Sequence, residues 1–355
     1  MTPDLRYPDP YLTANLYCAG CQDHALNRVV APLLEGLRRS DPERVGYLWL
    51  VRYGRRGEHL KLRLHGPESA KEGAWKELVR LAETYLAALG SEAPTERQSW
   101  LSLPPIDLQD EGDSLQDDRC LLLTDYRRSH VNLAGKPYLS RDDYVAAATR
   151  CLGEGCEMVL ASLPVDETGR VSHSARQKLL LKLLLSGLPV LCPEPAERAE
   201  YLAYHRGWLA RFSLARSASG DLTKIDEIVS RFDAQIDVTR QRSLAPLARV
   251  VAAEWVSGSE ADGASPAYHP WRSALAELRT VVTPLARDSD YRLDAFASNP
   301  AFAPYFKALH GMANQLGIDM MNECFTHHLV LRAVELEGTA RPQSISVEVA
   351  AGDLL

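Results

Sequence analysis

The stretch that decides the fold is Tyr47-Leu-Trp-Leu-Val-Arg-Tyr53, then Gly54-Arg-Arg-Gly57, then Glu58-His-Leu-Lys-Leu-Arg-Leu-His65. Two runs of β-forming residues around a glycine-bounded turn predict a β-hairpin. In the second run, apolar and basic residues alternate, so a strand would place its leucines on one face. The other face would carry His59, Lys61, Arg63 and His65. The sequence therefore predicts a sheet with one apolar and one cationic face.

The next segments extend this sheet. Apolar residues from Lys71 to Leu89 follow the i, i+3, i+4 spacing of an amphipathic helix, which we expect to cover the apolar face. Residues Ser91 to Asp118 carry eight carboxylates and three prolines, which predicts a long loop. A strand is expected from Cys120 to Leu133, and a helix from Ser140 to about Gly153.

Helical patterns dominate the rest of the chain. They predict helices over residues 174–187, 195–217, 223–236, 241–255, 270–286, 301–316 and 320–335. Early strands and late helices indicate an α+β fold, with an N-terminal sheet packed by helices and a helix-rich C-terminal half. We expect one unit over residues 1–355, with a sheet-containing part at about 1–155 and a helical part at about 156–340.

Composition excludes several classes of partner and compartment. Forty basic against 47 acidic side chains give a net charge of −7, so no general affinity for nucleic acid or for a membrane surface is expected. The N-terminus lacks the pattern of a secretory signal, and the most apolar stretch, Leu179 to Cys192, is too short and interrupted to cross a bilayer. Seven scattered cysteines do not indicate a disulfide framework. A cytoplasmic location is expected.

Common catalytic motifs are missing from the sequence. It has no phosphate loop, no dinucleotide fingerprint after a strand and no Gly-x-Ser-x-Gly. Cys18 and Cys21 have the spacing of metal ligands and His24 follows, but a structural zinc site needs four ligands. His327 and His328 are adjacent, so a helix directs them about 100° apart and not to one metal. We therefore expect neither a metal nor a cofactor.

Two cationic groups remain as candidates for function. One is the strand face His59/Lys61/Arg63/His65, and the other is Tyr126, Arg128 and His130, which alternation places on one side of the later strand. Such a surface could be a solvated face or could form ion pairs with the acidic loop. The functional interpretation is a grip on a peptide backbone or an oxyanion, with proton transfer by His and Tyr.

The hairpin resembles the Trp-Phe-Phe-Ile-Arg-Tyr … His-Leu-Arg-Leu-Arg signature of the C-terminal elimination domain of lantibiotic dehydratases. Leu309-His-Gly-Met-Ala-Asn-Gln-Leu-Gly317 is similar to that family's Ile-His-Met-His-x-Asn-Arg-Leu segment. Asp125-Tyr-Arg-Arg-Ser-His-Val-Asn-Leu-Ala-Gly135, with Pro137-Tyr-Leu139, resembles a stretch of the stand-alone members that act as thiopeptide pyridine synthases. The resemblance covers most of residues 12–335.

For a pyridine synthase, the resemblance implies a formal [4+2] aza-cycloaddition between two dehydroalanines of a thiazole-bearing precursor peptide. Loss of water and of the leader peptide then leaves a pyridine and closes a macrocycle, without a redox cofactor or a metal. The implied partners are the ribosomal precursor peptide, with leader and modified core, and other thiopeptide-modifying enzymes. The length fits a free-standing elimination-type domain without a glutamylation domain.

The resemblance also implies roles for single residues. The substrate-binding residues would be His59, Lys61, Arg63, Tyr126, Arg128 and His130, and the catalytic residues Tyr305, Ser273, His310 and Glu96. Tyr305 would exchange a proton with the amide, Glu96 would handle protons, and His310 would serve dehydration. Lys61, Arg63, Arg128, Ser273 and Tyr305 would share one hollow.

Two positions depart from the elimination domains. Met312 stands in place of a second histidine and Gln315 in place of an arginine. Two alternatives stay open: elimination of glutamate from glutamylated Ser or Thr as the partner of a split dehydratase, and a non-catalytic subunit that binds the leader peptide.

Overall fold

The structure, a computed structural model, confirms the α+β class. It describes residues 11–18, 20–40, 46–53, 58–89, 120–123, 142–163, 171–215, 224–239, 244–256, 266–287 and 299–336. The strands are β1 (Tyr11–Tyr17), β2 (Tyr47–Tyr53), β3 (His59–His65) and β4 (Leu121–Leu123). The helices are α1 (Gln22–Ala25), α2 (Ala31–Ser40), α3 (Glu68–Ala88), α4 (Asp142–Ser162), α5 (His173–Leu191), α6 (Pro195–Ala215), α7 (Ile225–Thr239), α8 (Leu244–Val256), α9 (His269–Arg287), α10 (Phe302–Leu316) and α11 (Met320–Leu336). A π-helical turn, Leu26–Val30, joins α1 to α2.

The sheet is antiparallel with strand order β2-β3-β1-β4. The predicted hairpin is confirmed, with Val51 opposite Lys61 and Trp49 opposite Arg63. β1 was not predicted, although it occupies the centre of the sheet between β3 and β4. Its Leu12, Ala14 and Leu16 alternate with Thr13 and Asn15 as in a strand, but the run is short and asparagine is depleted in strands. The strand is held by ladder hydrogen bonds on both sides, which local sequence does not reveal.

The apolar face of the sheet is covered as predicted. Leu62 and Leu64 of β3 face Leu33 of α2 and Leu78 of α3 across a small apolar space. These side chains are buried and belong to one hydrophobic cluster with β1 and β2. At about 25 cal/mol for each Å² of apolar surface removed from water, this burial stabilises the sheet and fixes its register.

The opposite face is less cationic than the alternation predicted. His59 is only 2% exposed and lies against the ring of Tyr17, with 4.5 Å between ring centroids. Burial, together with the charge of Lys71, lowers the pKa of His65, so this ring is neutral near pH 7. The Arg63 guanidinium stacks over Trp49, 4.7 Å from the ring centroid. Lys61 and Arg63 therefore carry the positive charge of this face among the described residues.

A second hydrophobic cluster unites α4 to α11. The helices predicted from residue 174 onward are all present, with their ends shifted by a few residues. On α11, Met321 is exposed, whereas the polar residues Glu323 and His327 are fully buried. α6 packs on that side of α11 and covers the polar residues. None of the helices in the described ranges combines the length and apolarity needed to cross a membrane.

Candidate functional site

A buried ion cluster joins the sheet to the helices. Asp23, at the start of α1, pairs with Arg52 of β2 at 2.8 Å and with Arg176 of α5. The Arg52 Nε donates to the carbonyl of Gln315 at 3.1 Å, and Arg176 donates to the carbonyl of Leu316. These carbonyls end α10, where the helix dipole favours cations. The cluster therefore fixes the C-terminal end of α10 against the sheet.

The charges in this cluster are permanent near neutral pH. Burial alone would raise the pKa of Asp23, but Arg52 and Arg176 outweigh it and hold the pKa below its usual range. Burial, and then repulsion from Arg52, lower the pKa of Arg176 to about 10, against the attraction of Asp23. Both arginines and the carboxylate therefore stay charged, and the cluster has a structural role.

A tight turn after α10 aligns it with α11. Gly317 ends α10 in the left-handed conformation, with φ 72°, which glycine adopts readily at the C-terminal cap of a helix. Asp319 then begins α11, and its Oδ1 accepts hydrogen bonds from the backbone N–H groups of Met321 and Asn322 at 3.0 and 2.9 Å. This hairpin places His310 of α10 opposite Glu323 of α11.

A chain of hydrogen bonds runs from the surface into the helical core. His310 Nδ1 lies 2.7 Å from Glu323 Oε2, and Glu323 Oε1 lies 2.8 Å from His205 Nε2. The His205 Nδ1 lies 2.7 Å from the Tyr201 hydroxyl. The Glu323 and His205 side chains are 0% exposed, whereas the His310 side chain is 31% exposed. His310 is therefore the end of this chain that solvent or a substrate can reach.

The ring of His310 packs against aromatic side chains. It stacks on Phe306 with centroids 5.2 Å apart and 16° between planes. Trp208 of α6 contacts the same phenylalanine, at 4.4 Å between centroids. Phe306 is only 6% exposed, so these aromatic contacts hold the His310 ring from the core side and fix its orientation.

Burial and charge separate the proton affinities of the histidines. Burial would lower the pKa of His310, but the Glu323 carboxylate outweighs it and raises the pKa above its usual value. Burial raises the pKa of Glu323, against the pull of His310. Burial, with repulsion from His327, holds the pKa of His205 well below its usual value. The titratable proton therefore resides between Glu323 and His310, and His205 is neutral.

His205, Glu323 and His327 offer three donor atoms within 4.8 Å of one another, which raises the question of a metal ion. The two imidazole rings stack, with centroids 3.7 Å apart and 23° between planes. Because the lone pair of a ring nitrogen lies in the ring plane, stacked rings direct their lone pairs side by side. A zinc ion needs lone pairs that converge on a tetrahedral centre at about 2.0–2.1 Å. The arrangement fits a proton-holding cluster and does not fit a metal centre.

The predicted catalytic residues Tyr305 and Ser273 do not meet in the structure. Tyr305 is 1% exposed, and Thr283 of α9 is hydrogen-bonded to its hydroxyl. Ser273 is exposed on α9. It precedes Thr283 by ten residues, which corresponds to about 15 Å along a helix axis. Burial raises the pKa of Tyr305, so its phenol is protonated at neutral pH.

Lys61 and Arg63 lie on β3, one strand away from the β2 edge that contacts α10. At that edge, Asn314 Oδ1 accepts from the backbone N–H of Arg52 at 2.7 Å, and Asn314 Nδ2 donates to its carbonyl at 3.1 Å. His310 precedes Asn314 by one helical turn on the same face of α10. Lys61 pairs with Val51, the residue before Arg52, so its strand is next to the one that α10 contacts.

Four predicted site residues, Glu96, Tyr126, Arg128 and His130, lie outside the described residues. Three buried polar residues were not predicted as site residues: Tyr201, His205 and Glu323. One signal was available, since Glu323 is an acidic residue inside the apolar helix α11 and has His327 four residues later. Its pairing with His205 joins residues 118 positions apart, which no local pattern reveals.

The sequence matches the model of one protein family. The family described as "Lantibiotic biosynthesis dehydratase C-term" matches residues 12–334, so the chain belongs to it. This confirms the family suggested by the hairpin and by the segment around His310. Among curated proteins, none matches the sequence.

Solved structures resemble this chain over nearly its whole length. One is "Pyridine synthase, TbtD, from thiomuracin biosynthesis", with a TM-score of 0.60 and 16% identity over 94% of this chain and 100% of that one. The crystal structure of TsrL is also similar, with a TM-score of 0.53 and 16% identity over 94% of this chain and 99% of that one. At this identity the likeness shows a shared fold.

Proposed function

We propose that the protein is a thiopeptide pyridine synthase, which joins two dehydroalanines of a thiazole-containing precursor peptide by a formal [4+2] aza-cycloaddition. One observation carries this proposal: a partly exposed imidazole, His310, is held at 2.7 Å by a fully buried carboxylate, Glu323. The reaction requires a group that gives and takes protons near neutral pH, and a paired histidine suits this task. The family membership and the fold shared with TbtD support it.

The reaction needs proton transfer and alignment. The amide before one dehydroalanine moves its N–H proton to oxygen and becomes a 2-azadiene, and the second dehydroalanine is the dienophile. Two C–C bonds form. Loss of water and then of the leader peptide as an amide each introduce one double bond, so aromatisation needs no oxidant. Alignment of the two alkenes is the larger task, since effective molarities reach about 10⁵–10⁸ M for well-oriented groups.

His310 is the proposed proton donor for the departing hydroxyl group. With Nδ1 engaged by Glu323, its Nε2 is the nitrogen left for substrate. The imidazolium form can protonate a leaving hydroxyl and the neutral form can remove a ring proton in the next elimination. The stacking of Phe306 on the His310 ring fixes the direction in which this nitrogen points.

Lys61 and Arg63 are the proposed peptide-binding cations. Their strand lies beside β2, whose edge contacts α10 next to His310. Cations at this place can hold the carbonyl oxygens of the precursor and stabilise negative charge on the tautomerising amide. Tyr126, Arg128 and His130 are proposed for the same binding surface, and Glu96 for proton handling, whereas the buried ring of His59 supports the strand from within the fold. Ser273 is reachable as it stands, whereas Tyr305 would need α9 and α10 to separate at Thr283.

The two residues that differ from the elimination domains have buried side chains. Met312 is buried and lies where a side chain on Gly155 of α4 would have to go. Gln315 is buried and donates to the carbonyl of Leu152. Neither side chain is available to a glutamylated substrate, which favours cycloaddition over glutamate elimination.

The function is tested with the purified full chain and two kinds of peptide. A thiazole-containing precursor with two dehydroalanines should lose the mass of its leader plus one water, as read by mass spectrometry. Loss of a glutamate mass from a glutamylated peptide would instead establish elimination. Binding of the precursor without any mass change would establish a leader-binding subunit.

The cationic strand is tested in the same assay. Lys61→Ala or Arg63→Ala should weaken precursor binding or turnover by about 10-fold or more, because a hydrogen bond to a charged group contributes about 1.5–3 kcal/mol. Lys76→Ala is the matched control, since Lys76 lies on the exposed face of α3 in a pair with Glu72. Equal binding and turnover in Lys61→Ala, Arg63→Ala and Lys76→Ala would remove the strand from the site.

A further inference from the structure

The hydrogen bonds around Glu323 assign every proton in the buried chain. The Tyr201 hydroxyl donates to His205 Nδ1, because burial keeps the pKa of the phenol well above its usual value. His205 is neutral, so its one N–H lies on Nε2 and donates to Glu323 Oε1. His310 Nδ1–H donates to Glu323 Oε2. The carboxylate therefore accepts two hydrogen bonds, from opposite sides.

His327 completes the cluster without supplying a charge. Its Nδ1 lies 2.9 Å from the carbonyl of Glu323, four residues earlier on α11, and only an N–H there can donate to a carbonyl. Burial lowers the pKa of His327 to about 4, so the ring is neutral and stacks on the neutral ring of His205. Among the described residues that pack on Glu323, His310 is thus the one that can neutralise its charge.

Among the residues that the structure describes, the other groups that act on the charge of Glu323 or lie next to it on α6 and α11 do not supply a competing cation. Asp319 precedes Glu323 by one turn on α11 and adds negative charge. Burial raises the pKa of Cys324 to about 12, so this thiol is neutral. On α6, Tyr201 and His205 are neutral. A proton that leaves His310 would therefore leave an uncompensated carboxylate in the core, and buried charges without a partner are strongly destabilising.

We propose that Glu323 is a positioning residue that holds His310 in its protonated form with Nε2–H directed at the substrate, and that His205 and Tyr201 set the strength of this hold from behind. This inference rests on the proposed function for its catalytic meaning, because His310 is the donor to the leaving hydroxyl there. Its physical content is independent of the reaction. Two donors share one carboxylate, so each donor changes how tightly the carboxylate holds the proton of the other.

This arrangement makes two predictions of opposite sign. Glu323→Gln removes the negative charge and should lower the pKa of His310. His205→Phe keeps an aromatic ring in place but removes one donor to the carboxylate. With one donor fewer, the Glu323 carboxylate attracts the proton on His310 more strongly, so the pKa of His310 should rise. A role that was only structural would not produce shifts in opposite directions.

The measurement is NMR titration of the histidine ring signals in the full chain, without substrate. The signal of His310 is assigned as the one that disappears in His310→Gln. Asp233→Asn is the matched control. Asp233 of α7 pairs at 3.0 Å with His328, which lies on α11 as Glu323 does, and this pair is separate from His310. This control should leave the midpoint of His310 unchanged, and the pH profile of turnover should move with the midpoint in the two test variants.

Each outcome decides the question. A lower midpoint in Glu323→Gln and a higher one in His205→Phe support the proposal. An unchanged midpoint in Glu323→Gln, or shifts of both variants in the same direction, overturn it. If Glu323→Gln does not fold, His205→Phe decides alone, by a rise or by its absence. If both variants show these shifts but the natural chain forms no pyridine, the proposed function is refuted and this inference stands. If the natural chain forms pyridine but the shifts are absent, this inference is refuted and the proposed function stands.

Discussion

Two buried carboxylates, Asp23 and Glu323, each take two nitrogen partners, but with different consequences. The partners of Asp23 are guanidinium groups of Arg52 and Arg176, which are buried and keep their charge near neutral pH. The partners of Glu323 are imidazoles, and one of them, on His310, is partly exposed. The first arrangement is closed and cannot exchange its charge. The second has an open end and a proton that can leave, so it is suited to chemistry.

Helix α10 takes part in both clusters. Its last carbonyls accept hydrogen bonds from Arg52 and Arg176, and His310 lies less than two turns before its end. The closed cluster therefore fixes the helix on which the open cluster presents its reactive group. Rigid support of this kind is what a catalytic group requires, because small displacements reduce activity strongly.

The largest effect on activity is expected when the imidazole of His310 is removed from the open cluster. His310→Gln should reduce pyridine formation by about 10²–10⁴-fold, the usual contribution of a general acid or base, and should leave the free energy of unfolding nearly unchanged. Mass spectrometry of the precursor and urea denaturation measure the two quantities. His173→Gln, at the exposed start of α5, is the control. Full activity of His310→Gln would remove the open cluster from the reaction.

Asp23→Asn should show the reverse, a loss of stability. Two buried guanidinium groups would lose their carboxylate, and breaking a buried ion pair from one side costs about 3–5 kcal/mol. Urea denaturation measures this loss. The control is Glu35→Gln on α2, whose pair with Arg39 is 3.8 Å long and well exposed, and which should change the unfolding free energy by less than about 0.5 kcal/mol. Equal stability of both variants would show that the Asp23 cluster does not hold the fold.

Gly317→Ala should destabilise the closed cluster by about 1–3 kcal/mol, because a side chain here needs a left-handed backbone. The added Cβ would also lie 2.6 Å from Arg176 Nη1 and 3.0 Å from Arg52 Cζ. Gly73→Ala in α3 is the control, since nothing lies near its Cβ position and alanine in a helix interior stabilises by about 0.5–1 kcal/mol. A neutral Gly317→Ala would contradict the packing described around this turn.

The smallest effect on the unfolding free energy is expected from lowering the pH. The pKa of Asp23 is lower in the folded chain, so its stabilisation is present above the unfolded value of about 4 and is lost as the pH falls through the folded value. The difference in unfolding free energy between the natural chain and Asp23→Asn should therefore narrow below about pH 4. Urea denaturation from about pH 7 to about pH 3 measures it. A constant difference would mean that Asp23 is not the titrating group.

The fold was more predictable from the sequence than the site. Local periodicity located β3 and the late helices, because each depends on the spacing of its own residues. β1 was missed because its central place in the sheet depends on two neighbouring strands that are distant in sequence. The burial of His59 likewise depends on its neighbour Tyr17 across the sheet.

The site depends on contacts between distant parts of the chain. His310 was identified through a resemblance, but neither its partner Glu323 nor His205 behind it was predicted. A buried acid in an apolar helix is a visible anomaly, yet its partner cannot be named without the packing of α6 on α11. The role of Arg52 was also hidden, since its strand pattern predicts an apolar environment and its charge is balanced by Asp23 from another element.

Asn314 also changes the accessibility of the outer edge of β2. Its side-chain amide satisfies both the N–H and the carbonyl of Arg52, in the way that an adjoining strand would. This border of the sheet is thereby sealed at that register, and no extended peptide can add to it there by main-chain pairing. The side chain that seats the helix thus also occupies the main-chain groups that another strand would need at this position.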